Sequence, residues 1–201
     1  GVESNLVLSQ NIVYQWLSAG EMNARETSLY FQSRHDLDQY IAHYLSLKNK
    51  NLFLKENRGH DLLNWVHTLS AIYGEDPEEL EYKLALGYLV DFFCDPFFYY
   101  QIAAYWKYTL FGTSLKIPMI PLMGGARYLP SFRLGLAPYG AEFIFDNYFT
   151  FDGHPTHVYF KQGSVNIPIV NSELKTYGIG LENPSFFNYT IGTIGLKLDA
   201  W

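Results

Sequence analysis

Apolar residues recur every three or four positions through the first half of the chain, the spacing that places them on one face of an α-helix. Two clear cases lie at residues 6–17, where Gly20 follows as a stop, and at residues 59–74. A further helix is predicted to start near Ser33, whose hydroxyl precedes a carboxylate by three residues as in a capping box. One longer helix from Met22 is the alternative for this segment.

Two aspartate–proline pairs mark sharper helix starts. Asp76 and Asp95 each stand directly before a proline. The pair combines an oxygen that can accept from the first backbone N–H groups with a residue whose fixed φ suits the first helical turn. We therefore predict helices over residues 77–93 and 96–110, with Gly112 closing the second one and with Asp95 acting as an N-cap.

The second half of the chain is rich in glycine and proline and shows the two-residue alternation of β-strands. Residues 143–161 predict an antiparallel hairpin that turns at residues 152–155. Residues 162–164 predict a second turn. Alternation also predicts strands at residues 177–181 and 194–198.

This division predicts an α+β fold in two modules. Residues 1–112 are expected to form a bundle of about five helices, and residues 113–201 a small antiparallel β-sheet packed on it. The segment 92–111 holds more aromatic residues than helix packing alone requires, so the bundle and the sheet are expected to share an apolar interface. The sheet is alternatively a part of a larger barrel.

The composition indicates more apolar surface than a protein surrounded by water usually exposes. Hydrophobic residues make up 48% of the chain and charged residues only 17%, against about a quarter in an average domain. We expect a lipid or membrane surface, or a partner protein, to cover the apolar excess. The net charge of -6 and the scattered basic residues argue against nucleic acid. No membrane-spanning helix and no signal peptide is expected.

One polar helix face carries the first candidate chemistry. His60, Asn64 and His67 follow the spacing i, i+4, i+7, which places them on one side of the third predicted helix. Asp91 is a carboxylate in apolar sequence, so it is either hydrogen-bonded in the core or faces a polar cleft. We predict His60, His67 and Asp91 as catalytic residues and Asn64 as a substrate contact. A solvated helix face is the alternative interpretation.

A second pair of histidines suggests a metal site. His35 and His43 lie on one predicted helix beside acidic residues, and helix bundles can build metal sites from such side chains. We predict His35 and His43 as ligands of a divalent metal. Caps and surface polarity are the alternative explanation of the same residues.

Three further residues are expected to be inert. The single cysteine, Cys94, excludes an internal disulfide, and its apolar neighbours predict a buried thiol. His154 and His157 lie close to the predicted hairpin turn, where surface positions are expected.

Three functions remain open. The leading interpretation is a structural or binding protein of the bacterial cell envelope, associated with the outer membrane, because the strands alternate as lipid-facing strands do. The second is a metal-dependent or general-base hydrolase that uses the histidine face. The third is a soluble module that binds an apolar ligand, with Tyr99 and Trp106 among the residues of an aromatic pocket.

Overall fold

A computed structural model describes residues 2–47, 61–74, 76–137, 140–164, 175–189 and 192–200. In these ranges the chain forms six α-helices before its main sheet. They are α1 (Val2–Ala19), α2 (Ala24–Arg34), α3 (Asp36–Ser46), α4 (Asp61–Tyr73), α5 (Pro77–Cys94) and α6 (Pro96–Phe111). None of these helices has the length and the apolar character that are needed to cross a membrane.

The described strands form two antiparallel sheets. They are β1 (Glu21–Met22), β2 (Leu115–Lys116), β3 (Ile120–Pro121), β4 (Arg127–Ala137), β5 (Gly140–Phe151), β6 (His154–Ser164), β7 (Lys175–Tyr189) and β8 (Gly192–Ala200). β1 pairs with β2, whereas β3 to β8 form a six-stranded sheet in which each strand lies beside its neighbour in sequence. The predicted α+β class is confirmed.

Local signals set the helix ends as predicted. The Asp76 side chain accepts a hydrogen bond from the first turn of α5, and Asp95 accepts one from the first turn of α6. Gly20 and Gly112 follow α1 and α6 with φ values of 69° and 68°, the left-handed conformation that favours glycine. The alternative of one long helix from Met22 is wrong, because α2 ends before α3 begins.

The sheet confirms one predicted turn and corrects another. β5 and β6 form the predicted hairpin, whose turn holds Asp152 and Gly153 at positive φ, whereas His154 and Pro155 of the predicted turn already pair with β5. Residues 162–164 do not turn, because they lie within β6 and their backbone pairs with β5 on one side and β7 on the other. β4 was not predicted as a strand, although residues 131–136 alternate polar or small side chains with apolar ones, as a strand does.

Helices and strands share two hydrophobic clusters. In the first, Leu84 of α5 packs in one cluster with Leu134 of β4. In the second, Trp16 of α1 and Phe97 of α6 join Tyr148 of β5. The expected apolar interface between the bundle and the sheet is therefore present. The division into two modules at residue 112 stays a prediction.

A buried ion pair connects two helices to the edge of β4. Arg34 donates two hydrogen bonds to Asp91, at 2.9 and 2.7 Å. Arg34 also donates to the backbone oxygen of Phe132 at 2.9 Å, and the backbone N–H of Leu134 donates to Asp91 at 2.8 Å. The pair thus occupies backbone groups that a neighbouring strand would otherwise bind.

We expect Asp91→Ala to lower the free energy of unfolding by about 3–5 kcal/mol, because it leaves the Arg34 guanidinium buried without its carboxylate. Urea denaturation measures this loss. Replacing both partners, as Arg34→Met with Asp91→Leu, should restore part of the stability but not all of it, since the β4 backbone groups still lack partners.

The matched control is Glu79→Gln, which removes an ion pair with Lys83 in which the Glu79 side chain is 53% exposed. Its cost should stay below about 1 kcal/mol. An equally small cost for Asp91→Ala would contradict the structural role of the buried pair.

Candidate functional site

The structure places the residues of the predicted catalytic face in different environments. His60 lies outside the described residues. On α4, Asn64 is exposed and His67 is half-buried. Asp91 is 1% exposed, and its two oxygens are bound by Arg34 and by the backbone of β4. Of the two environments considered for Asp91, the hydrogen-bonded core is therefore correct, and this carboxylate is not open to a substrate.

The two predicted metal ligands also differ. His35 is fully buried, and its Nδ1 lies 2.7 Å from Asp38. His43 is exposed more than two turns further along α3. Within the described ranges, no group of three or more His, Cys, Asp or Glu side chains could hold a metal ion. A divalent metal on His35 and His43 stays a prediction that no contact in these ranges supports.

Two of the three residues expected to be inert lie in unexpected places. Cys94, the last residue of α5, is exposed, although its sequence neighbours predicted burial. His157 is 0% exposed rather than at the surface. It lies three residues into β6, on the face that α1 covers, where the Tyr14 hydroxyl lies 3.1 Å from its ring.

The first buried charge cluster surrounds Arg34. This one guanidinium interacts with three carboxyl groups, those of Asp38, Asp91 and Asp95. Burial raises the pKa of Asp38 to about 6. Burial, together with the positive charge of Arg34, lowers the pKa of His35 to about 4. At neutral pH, His35 is therefore an uncharged donor to Asp38.

The second cluster surrounds Asp146 on the inner face of the sheet. Arg133 donates to this carboxylate at 2.8 Å, and His157 Nε2 lies 2.7 Å from it. The Tyr14 hydroxyl donates a hydrogen bond to Glu182, with 2.5 Å between the two oxygens. Burial opposes the charge of His157, but its hydrogen bonds to Asp146 and Glu182 outweigh burial and raise its pKa.

Both clusters reach one small cavity beneath α1. Arg34 and Arg133 line it from the two clusters, together with Gln10 and Tyr148. Its volume of about 10 Å³ is near the minimum for a single water molecule. The buried charges therefore hold α1 and α2 on the sheet and enclose no space for a substrate.

A much larger groove lies between α2 and α6. Its volume is about 560 Å³, and Phe31, Phe98, Tyr105 and Trp106 contribute its aromatic walls. Trp106 lines this groove, and its role as a ligand contact stays a prediction. Tyr99 is not among the lining residues, and its hydroxyl donates to the backbone oxygen of Phe93 on α5.

α1 covers one face of the main sheet, and this face carries several charged side chains among apolar ones. Arg133, Asp146, His157 and Glu182 lie on the covered face, because the strand register places them on the same side. Tyr14 of α1 contacts this face through His157 and Glu182. The sheet therefore turns its charged side chains inward.

The opposite face carries exposed apolar side chains on β5, β6 and β7, next to the buried Phe143 and Asn147 of β5. Phe145, Phe160 and Ile179 are aligned across the three strands and are 43%, 49% and 47% exposed. Leu181 lies on the same face at 37%, and Tyr177 beyond Ile179 at 63%. Towards β4 this face meets the helices, where Leu134 packs close to α5.

Comparison of the chain with protein-family models, curated proteins and solved structures finds no match. The geometry of the chain therefore carries the functional argument.

NMR titration of the histidine ring nitrogens tests the two clusters. His35 should stay neutral until the pH approaches about 4, since burial and Arg34 lower its pKa. His157 should stay charged above its ordinary pKa of 6.5. A His35 ring that titrates near 6.5 would contradict the burial of that ring against Phe31, Phe92 and Phe98.

The same shifts act on stability in opposite directions. The pKa of folded His35 lies below its unfolded value, so its contribution is lost as the pH falls from 6.5 towards 4. The pKa of folded His157 lies above its unfolded value, so its contribution is complete below 6.5 and is lost as the pH rises through the folded pKa.

Proposed function

We propose that this protein is a structural or binding component of a cell envelope, and that the outer face of β5 to β7 contacts the hydrocarbon of a membrane. The observation that carries the proposal is the inverted sheet. Charged side chains such as Asp146 and His157 lie inside, whereas Phe145, Phe160 and Ile179 lie outside.

Hydrophobic burial explains why this inversion matters. Apolar surface in water costs about 25 cal/mol per Å², so a sheet surrounded by water normally packs its apolar face on the core. Strands in a lipid environment show the reverse order, with apolar side chains outward and polar side chains inward. Phe160 pairs in register with both Phe145 and Ile179, so these exposed side chains are neighbours across three strands rather than scattered.

The polar interior is compatible with such an environment, because its charges are paired. Arg133 and His157 face Asp146 and Glu182, and Arg34 faces Asp91 and Asp95. Outer-membrane proteins use the same alternation of apolar-out and polar-in residues. The outer membrane of a bacterial envelope is therefore the location that we propose.

Spin labelling of the outer face tests the proposal. We expect a nitroxide at Phe160→Cys, in a Cys94→Ser background, to collide more often with oxygen than with a water-soluble nickel complex after reconstitution into phosphatidylcholine and phosphatidylglycerol vesicles. Oxygen concentrates in hydrocarbon and the nickel complex in water, so their ratio of collision rates reports the surroundings of the label. Ile179→Cys, its neighbour in register, should give the same ratio.

The control is Tyr82→Cys on α5, an aromatic position that is 69% exposed but lies on a helix. A label there should prefer the nickel complex. The proposal fails if labels at Phe160 and Ile179 prefer the nickel complex as well, or if the protein remains in the aqueous phase when the vesicles are floated.

A further inference from the structure

We propose that β8 pairs antiparallel with β8 of a second copy of this chain, about a two-fold symmetry axis at Leu198. Among the described residues, β8 pairs with β7 along one edge, and no strand lies along its other edge. This pairing uses the backbone of the open edge and does not require the membrane contact proposed for the outer face of the sheet.

The first support is the open backbone of β8. In an antiparallel pair, every second residue of a strand turns its N–H and C=O groups away from the neighbouring strand. Such groups at a sheet edge are a template for another strand in water, and they cannot stay unpaired in hydrocarbon. Either environment thus favours a further strand beside β8.

The second support is that the opposite edge of the sheet is already occupied. β3 pairs with the start of β4, and the Arg34–Asp91 pair binds the backbone of Phe132 and Leu134 further along this strand. A head-to-tail contact between β8 of one copy and β4 of the next would displace these bonds. Pairing of β8 with β8 avoids that cost and closes the assembly at two copies.

The third support is the charge pattern of β8, which is complementary to itself. Lys197 and Asp199 are the charged residues of this strand, and Leu198 separates them. A symmetry axis at either charged residue would set like charges opposite each other, which is unfavourable. An axis at Leu198 instead sets Lys197 opposite Asp199 of the second copy on both sides of the axis. The strand therefore fits a second copy of itself in this register.

This symmetry also joins the exposed apolar side chains of the two copies. A symmetry axis perpendicular to a continuous sheet turns the same face of both copies to the same side. Phe160 and Ile179 of each copy then belong to one apolar surface of twice the width.

Disulfide formation tests the register. The full chain carries one cysteine, Cys94, which is replaced by serine in these variants. Leu198→Cys should form a disulfide-linked dimer on mild oxidation, because the axis sets this position opposite itself, with about 5 Å between Cβ atoms. Ile194→Cys is the matched control, since the same register separates its two copies by about 27 Å along the strands, at about 3.4 Å per residue. It should remain without a cross-link.

Charge reversal tests the self-complementary pattern. Sedimentation equilibrium of the full chain in pentaethylene glycol monooctyl ether, a detergent with a density close to that of the buffer, measures the dissociation constant of the dimer. Asp199→Lys should raise this constant about tenfold, because two opposite-charge pairs become like-charge pairs. The register partner of Asp199 within the chain is Gly180, which carries no charge. Glu78→Lys, an exposed change of equal charge on α5, should leave the constant within about twofold.

Mixing two variants separates charge pairing from misfolding. Lys197→Asp should also pair weakly with itself, whereas an equimolar mixture with Asp199→Lys should restore a dimer, because opposite charges again face each other. Energy transfer between dyes on the exposed Cys94 of the two variants measures this mixed dimer. Lys197 pairs in register with Glu182 of its own chain. If Lys197→Asp does not fold for that reason, Asp199→Lys and the two cysteine variants still decide.

The pairing is overturned if Leu198→Cys forms no more disulfide than Ile194→Cys, or if Asp199→Lys dimerises as tightly as the wild type, since the copies then meet elsewhere. A wild type that is monomeric in the detergent also overturns it and leaves the edge to a strand of another protein. A monomer that still floats with vesicles contradicts the pairing alone. A dimer whose label at Phe160→Cys prefers the nickel complex contradicts the membrane contact alone.

Discussion

The structure depends on the buried ion pair between Arg34 and Asp91. An edge strand normally offers its backbone groups to another strand, but at Phe132 and Leu134 these groups bind the ion pair instead. A buried ion pair contributes little net stability compared with apolar packing, yet its geometry is specific. We infer that it fixes the position of α2 and α5 against one register of β4.

That attachment determines how the sheet is covered. With α5 packed on Leu134 and α1 on the opposite face at His157, helices contact both faces of the sheet, one near β4 and the other under β6. Phe143 of β5 still packs in one cluster with α5, whereas Phe145, Phe160 and Ile179 on the same face stay exposed. Because the helices are anchored at the β4 side of the sheet, the exposed apolar side chains lie farther from that side.

The sequence predicts the local parts of this arrangement and not the long-range ones. The caps at Asp76 and Asp95 are local, since each side chain binds a backbone group two residues away. The Arg34–Asp91 pair joins residues 57 apart and follows only from the packing of two helices on β4. Counting residues back from the observed turn at residues 152–153 pairs Tyr148 with His157. Asp146 lies two residues before Tyr148 and therefore shares the face of His157.

Alternation has a further limit. A two-residue period shows which side chains share a face, but the same period fits a sheet in water and a sheet in lipid. Which side chains are covered depends on long-range contacts such as those of Tyr14 with His157 and Glu182, and these do not follow from the period. The groove also requires long-range packing, because α2 and α6 must lie side by side to form it. The sequence therefore indicates Trp106 as a candidate ligand contact but does not locate the groove.

The low charge of the chain and the exposed apolar side chains of the sheet are connected. Only 17% of the residues are charged, and several of these are buried in the two clusters instead of covering the surface. Burying them requires near-neutral clusters, since an unpaired charge in the interior is costly. Burial raises the pKa of Asp38 to about 6 in spite of the nearby positive charge of Arg34, which shows the cost of keeping a charge inside. Because charged residues are buried in the two clusters, apolar side chains make up more of the surface. Apolar side chains outside and polar side chains inside are the arrangement that a lipid environment favours.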